Sequence, residues 1–151
     1  MLQIRTIATA VAATALAGAA LLPTQAQAAA GSVHLTKIYY NSPGSDTRST
    51  KSLNAEYVQI KNTTTKSVSL KGWTLVDASA HKYTFGTFTL GKGKTVTVHT
   101  GKGTNTSVSR YQGRAAYVWN NDKDKATFKK ANGTVADTCS YNSTKVSSKV
   151  C

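Results

Sequence analysis

The sequence has few acidic residues, cysteines and prolines, and these scarcities exclude several classes of protein. Of its 151 residues, 6 are Asp or Glu, 2 are Cys and 2 are Pro. Two cysteines exclude a disulfide-dense miniprotein, and so little proline excludes a collagen-like chain. Only the first residues contain a long apolar run, which excludes a polytopic membrane protein. The length fits one domain and excludes a large multidomain enzyme.

The first 28 residues have the pattern of a secretory signal peptide. Arg5 precedes an alanine-rich apolar stretch over residues 7–22, and Ala26-Gln27-Ala28 is an Ala-x-Ala cleavage motif. We therefore expect residues 1–28 to be removed and residues 29–151 to be secreted as one domain. The alternative is an uncleaved membrane anchor, but the apolar stretch is short for a span of about 20 residues. We expect no membrane anchor after cleavage.

Secretion changes how the two cysteines are interpreted. In an oxidising compartment, Cys139 and Cys151 are expected to form a disulfide that ties down the polar tail 139–151. A loop of this size would contribute about 3 kcal/mol to stability. A reactive thiol is the alternative, but no histidine lies near Cys139 in the sequence to activate it. A disulfide between Cys151 and another chain is the remaining alternative.

After the leader, short alternating segments separated by turn signals predict strands rather than helices. Val58 and Ile60 share one face of a predicted strand, as do Val96 and Val98 of another. Eight or nine strands follow from this pattern, with Tyr117–Trp119 as one of them. Residues 47–52 are predicted to be a mobile loop, and one helical turn is allowed within residues 107–112. The pattern predicts an all-β sandwich or barrel.

Several segments together resemble the lamin tail domain family, in its secreted bacterial branch. The resemblance covers about residues 33–141 and is carried by the segments Lys37–Asp46, Leu53–Asn62, Leu70–Asp77, Tyr117–Asp122 and Asp137–Cys139. It implies an immunoglobulin-like β-sandwich. It also implies a binding or accessory module with no catalytic residues and no cofactor, because the family is chiefly non-catalytic.

A large basic excess suggests an anionic partner. The chain has 19 Lys or Arg and a formal net charge of +13, which falls to +12 once the leader's Arg5 is removed. Four lysines cluster around a predicted hairpin, near Tyr117, Trp119 and Phe128. Their ammonium groups would bind phosphates while the rings stack on bases. The alternative is an even lysine coat for solubility. The clustered lysines are Lys123, Lys125, Lys129 and Lys130.

The acidic residues and histidines give weaker signals of chemistry. Asp122 and Asp124 would suit a calcium ion, but the interleaved lysines oppose a cation, so a turn is favoured. Glu56 shares strand parity with buried residues and would then need a partner; we favour a position at the rim instead. The three histidines, His34, His81 and His99, show no zinc-site spacing.

These observations predict a secreted, non-catalytic binding module for anionic extracellular polymers, either an envelope polymer or nucleic acid. One alternative is a protein-interaction or structural module that docks a partner through a sandwich edge or the loop 104–114. A metal-dependent hydrolase or nuclease built on Asp122 and Asp124 is favoured least, because no nucleophile or general base accompanies that pair.

Overall fold

The computed structural model describes residues 31–151, which contain eleven strands and one short helix. Two larger sheets and one two-stranded ribbon contain all these strands. Sheet one has the order β11-β1-β2-β7-β8, with β1 (Val33–Tyr39), β2 (Tyr57–Asn62), β7 (Thr95–His99), β8 (Ser109–Tyr111) and β11 (Ser148–Val150). Sheet two has the order β10-β9-β4-β5, with β4 (Thr74–Val76), β5 (Lys82–Thr84), β9 (Lys123–Lys129) and β10 (Val135–Asn142). The ribbon pairs β3 (Val68–Ser69) with β6 (Thr89–Leu90).

The core lies between the sheets and follows the period-two pattern of the strands. Val58 and Ile60 of β2 are fully buried, and so are Val96 and Val98 of β7. They belong to one apolar cluster with Phe128 of β9. Alternate residues of a strand point to opposite faces, so each sheet buries one face and exposes the other. The prediction of an all-β, immunoglobulin-like sandwich is confirmed.

A bulge in β1 explains why its alternation is broken in the sequence. The register of β1 against β2 shifts between Leu35 and Lys37. An extra residue in one strand reverses the parity of the residues after it. Leu35 is therefore buried before the bulge, and Ile38 and Tyr40 are buried after it.

Two contacts join the edges of the sheets. The predicted disulfide is confirmed: Cys139 of β10 bonds to Cys151, which comes directly after β11, with a Cα–Cα distance of 5.8 Å. The tail that it ties down forms β11, which pairs with β1. Asp137 of β10 adds a polar link, because its Oδ2 accepts a hydrogen bond from the Leu35 N–H at 2.8 Å.

Two segments differ from the predicted strands and loops. Residues 117–119 form no strand, because Val118 and Trp119 are both buried and break the alternation that a half-buried strand requires. The predicted loop 47–52 leads into helix α1 (Thr50–Ala55), whose N-cap Ser49 accepts a hydrogen bond from the Ser52 N–H.

The prediction that residues 107–112 allow a helical turn is wrong as well. That segment contains β8, which pairs in parallel with β7. The polar tail beyond Asn142, expected only to be tied down, contributes β11. Within residues 31–151, no helix is both long and apolar enough to cross a membrane.

We expect the Cys139→Ser/Cys151→Ser double variant to be less stable to unfolding by about 3 kcal/mol, because the disulfide restricts the unfolded chain. Urea unfolding followed by tryptophan fluorescence measures the difference. The reduced wild-type protein is the control and should match the variant. An unchanged urea midpoint in both would contradict the stabilising role of this link.

Candidate functional site

Lysines and buried residues alternate along β9. Lys123 and Lys125 are exposed and Lys129 is partly exposed, while Asp124, Ala126 and Phe128 between them are buried. Three of the four predicted lysines therefore share the outer face of sheet two. Lys130 comes after β9 in the turn to β10 and is also exposed. We call Lys82, Lys123, Lys125, Lys129 and Lys130 the lysine face.

Strand register brings hydroxyl and amide groups beside these lysines. Lys123 lies opposite Asn142 and Lys125 lies opposite Ser140 on β10. Both lysines line an open groove of about 780 Å³. On the other side of β9, Lys129 lies opposite Thr74 of β4.

Lys82 belongs to this surface although it lies on β5, two strands away from β9. It lies on β5, opposite Val76, and is exposed. The sequence pattern does not single it out, because it is 41 positions before Lys123 and only sheet pairing brings the two to one face. Only the pairing of β5 with β4, which puts Lys82 opposite the outward-facing Val76, could have identified it as part of this surface.

The aromatic residues expected beside the lysines are not available for stacking. Trp119 is 2% exposed and Phe128 is fully buried in the core. The hydroxyl of Tyr117 bonds to Ser52 Oγ at 2.6 Å. The prediction that these rings stack on bases is therefore wrong for Trp119 and Phe128. The sequence pattern could not separate them from surface rings, because their burial depends on the facing sheet.

Asp124 organises backbone instead of presenting a free metal ligand. Its Oδ1 accepts hydrogen bonds from the N–H groups of Ala78 at 2.9 Å and Lys125 at 2.7 Å, and its Oδ2 accepts from Asn120 N–H at 3.2 Å. Among residues 31–151, no group of three or more His, Cys, Asp or Glu side chains is arranged to hold a metal ion. Asp122 is exposed, and its Oδ1 accepts from Lys123 N–H. Asp122 lies in the bend before β9, as the favoured turn predicts, whereas Asp124 lies within β9 and not in the turn.

With the fold and the site described, the sequence can be compared with known protein families. The sequence profile described as Lamin Tail Domain matches residues 26–143, which is more than half of the chain. The chain belongs to the lamin tail domain family. The resemblance to the lamin tail domain family is thereby confirmed, and that family is one of immunoglobulin-like, non-catalytic domains. No curated protein matches the chain.

In this lamin tail domain, Glu56 lies in the interior and not at the rim, so the favoured interpretation of its position is wrong. Its side chain is fully buried just before β2. Oε1 accepts hydrogen bonds from Thr100 Oγ1 at 2.6 Å and from Val118 N–H at 2.8 Å, whereas Oε2 has no protein partner. The carboxyl thereby fixes the irregular segment after β8 to the end of sheet one. The strand parity of Glu56 was a correct signal.

Burial raises the pKa of Glu56 from 4.5 to about 7. Removal from water disfavours the charged carboxylate, and hydrogen bonds from Thr100 and Val118 only partly offset that effect. No Lys or Arg forms a salt bridge with Glu56 among the described residues. Burial likewise raises the pKa of Tyr141, whose hydroxyl donates to Asn120 O at 2.6 Å.

The three histidines occupy unrelated places in the fold. His34 contacts Ser32 near the start of β1. His99 Nδ1 lies 2.8 Å from Asn54 O, and His81 Nδ1 lies 2.7 Å from Asp77 Oδ2. The Asp77–His81 pair was missed, because it forms across the turn between β4 and β5 and has none of the spacings typical of metal sites.

The raised pKa of Glu56 predicts that stability decreases with rising pH. Below pH 4.5 the carboxyl is protonated in both the folded and the unfolded chain, so its full contribution is present. Between pH 4.5 and about 7 the unfolded chain ionises first, which lowers the free energy of unfolding. The loss reaches roughly 3 kcal/mol above pH 7. Urea unfolding from pH 4 to 8 measures it.

The Glu56→Gln variant should lack this pH dependence, because the amide keeps the oxygen that accepts from Thr100 and Val118 and does not titrate. The Asp122→Asn variant is the control, since Asp122 is an exposed carboxyl. It should retain the wild-type profile. If Glu56→Gln and wild-type protein show equal slopes between pH 5 and 7, Glu56 is not the group responsible.

Proposed function

We propose that this lamin tail domain is a secreted, non-catalytic binding module that associates with anionic extracellular polymers through the lysine face. The observation that carries this proposal is the alternation along β9, which directs Lys123, Lys125 and Lys129 to the same outer surface. Residues two apart on a strand are about 7 Å apart. Lys123 and Lys125 have this spacing, and Lys129 lies four residues beyond Lys125. Such a row of ammonium groups suits an extended chain that carries repeated negative charges.

The nearby acidic side chains do not cancel this charge at close range. Asp124 is buried, and both its oxygens accept hydrogen bonds from backbone N–H groups. Asp137 is partly buried, and its two oxygens accept from Leu35 and Thr138. Asp122 is the exposed carboxyl at the groove beside Lys123. Hydrogen bonding leaves the charge of Asp124 and Asp137 in place, but exposed lysines outnumber exposed carboxyl groups on the outer face of sheet two.

The chemistry of the lysine face suits recognition of charge without recognition of sequence. It contains lysine rather than arginine, and lysine binds phosphate as a flexible point charge without the bidentate fork of a guanidinium. With Trp119 and Phe128 buried, this face offers neither ring for base stacking. Such a surface would bind duplex nucleic acid, a phosphate-containing wall polymer or an acidic polysaccharide with little selectivity.

A protein partner is the second candidate, and one observation favours it. Val108 lies in the loop 104–114, beside β8 at an edge of sheet one, and is 57% exposed. An open strand edge presents unpaired backbone groups to which a strand of another chain can pair, and Val108 adds an apolar side chain beside it. The two candidates differ in salt response, because binding by apolar contact would persist when ions screen the lysines.

We expect the variant in which Lys123, Lys125, Lys129 and Lys130 are all Gln to lose most of its affinity for duplex DNA at low salt. The dependence of log K on log salt should weaken by roughly one unit per lysine that contacts a phosphate. Fluorescence anisotropy across a salt gradient measures both quantities. A neutral glycan serves as the uncharged ligand and should not bind.

The matched control also replaces four exposed lysines by Gln, but at sites away from sheet two: Lys51, Lys61, Lys92 and Lys102. This control has the same net charge as the first variant, so it separates the local surface from total charge. Equal losses in the two variants would show that the lysines act as a uniform coat. Binding that is independent of salt would contradict the electrostatic proposal.

Secretion and cleavage are tested by identifying the first residue of the mature protein. We expect the protein recovered from the medium of an expressing bacterium to begin at Ala29, because the Ala26-Gln27-Ala28 motif precedes it. N-terminal sequencing or intact mass measures this. The Ala26→Lys/Ala28→Lys variant should keep the leader, because bulky charged residues replace the small ones. An uncut wild-type chain held in the cell would contradict the proposal.

A further inference from the structure

A second donor-rich region lies beside the open edge of sheet two. A cleft of about 230 Å³ is lined by His81, Arg114, Ala115, Ala116 and Tyr117. The first of these belongs to the turn between β4 and β5, and the others belong to the irregular segment after β8. None of the lysines of the lysine face lines this cleft, so the two surfaces can be tested independently.

A buried carboxylate fixes the orientation of His81. Asp77 Oδ2 lies 2.7 Å from His81 Nδ1, and the Asp77 side chain is 0% exposed while that of His81 is 45% exposed. The other oxygen of Asp77 accepts from the backbone N–H groups of Ser79 at 3.0 Å and His81 at 2.7 Å. An ionised carboxylate can only accept, so Nδ1 carries a proton and Nε2 is the nitrogen left for a ligand.

Arg114 is oriented by two hydrogen bonds that leave part of its guanidinium unused. Its Nε donates to Gln112 Oε1 and its Nη2 donates to Lys82 O, each at 3.2 Å. A guanidinium has five N–H donors in a planar fork. Three of them are therefore left for a ligand. Because the side chain is already positioned, binding an anion would cost little additional side-chain entropy.

The backbone between Arg114 and Val118 adds further donors. The Arg114 N–H donates to Thr100 O at 3.0 Å, and the Val118 N–H donates to Glu56 Oε1 at 2.8 Å. Between them, the N–H groups of Ala115, Ala116 and Tyr117 donate to no acceptor in the described part of the chain. Successive N–H groups in an irregular turn form a concave site for an anion.

We propose that this cleft binds a phosphate group that contacts Arg114, His81 and the Ala115 and Ala116 amides. Four oxygens arranged as a tetrahedron can meet a guanidinium, the Nε2 of an imidazole and backbone amides that approach from different directions. The phosphate would belong either to a free phosphomonoester or to a phosphodiester polymer. The proposal can be tested apart from the lysine face, because no lysine side chain lines the cleft, although His81 directly precedes Lys82 in the chain.

Titration of the ¹⁵N-labelled protein with inorganic phosphate at constant ionic strength tests this site. We expect saturable shifts confined to the Ala115 and Ala116 amides and to the His81 ring. Arg114→Gln should weaken phosphate binding about tenfold or more, since it removes a charge-assisted donor. His81→Gln should weaken binding severalfold. Glycerol phosphate and dimethyl phosphate, titrated separately, distinguish a monoester from a diester ligand.

A control variant should lose one positive charge elsewhere on the protein. Arg110→Gln is unsuitable, because the Arg110 guanidinium stacks on Phe88. Lys149→Gln is the matched control, because Lys149 is exposed. It should change phosphate affinity by less than about twofold. Arg114→Lys keeps the charge but loses the fork and should bind phosphate weakly. Shifts spread over many lysines without saturation, or equal affinity of folded Arg114→Gln and wild-type protein, would overturn the proposal. The DNA-binding assay would be unaffected by that result.

Discussion

The burial of Ala126 and Phe128 determines where the lysines of β9 lie. Both side chains enter the core between the sheets, and strand alternation then directs Lys125 and Lys129 to the opposite face. A register slip of one residue would bury ammonium groups without partners and expose a phenylalanine, at a cost far larger than any single surface contact. The direction of the β9 lysines is therefore a consequence of core packing, which fixes their backbone positions while their side chains stay flexible.

Features that depend on neighbours along the chain could be predicted, and features that depend on distant segments could not. Val58 was placed in the core because alternation is a local property, and the disulfide was expected from compartment and cysteine count. By contrast, Lys82 reached the lysine face through sheet pairing. The cost of burying Glu56 favoured the rim, but Thr100 and Val118, 44 and 62 positions away, supply hydrogen bonds that reduce that cost. The remaining cost is expressed as a raised pKa.

The scarcity of acidic residues produces the surface charge. Five of the six Asp and Glu carboxyl groups accept hydrogen bonds from backbone N–H groups: Glu56, Asp77, Asp122, Asp124 and Asp137. Each satisfies amides that strand pairing leaves open, which is a structural requirement of a small sandwich with many strand ends. Hydrogen bonding leaves their negative charge in place, so the basic surface follows from their number: 6 Asp and Glu against 19 Lys and Arg.

This division of labour also separates two kinds of anion recognition. Lysines on flexible stems attract charge over a wide area, and that attraction weakens as salt shortens the screening length. Arg114 and His81 are held by hydrogen bonds to Gln112 and Asp77, so they would distinguish anions by shape as well as by charge. A domain that has both surfaces could concentrate a polymer by charge and recognise one chemical group of it by geometry. The fold permits this because the cleft beside β5 is lined by none of the side chains of the lysine face.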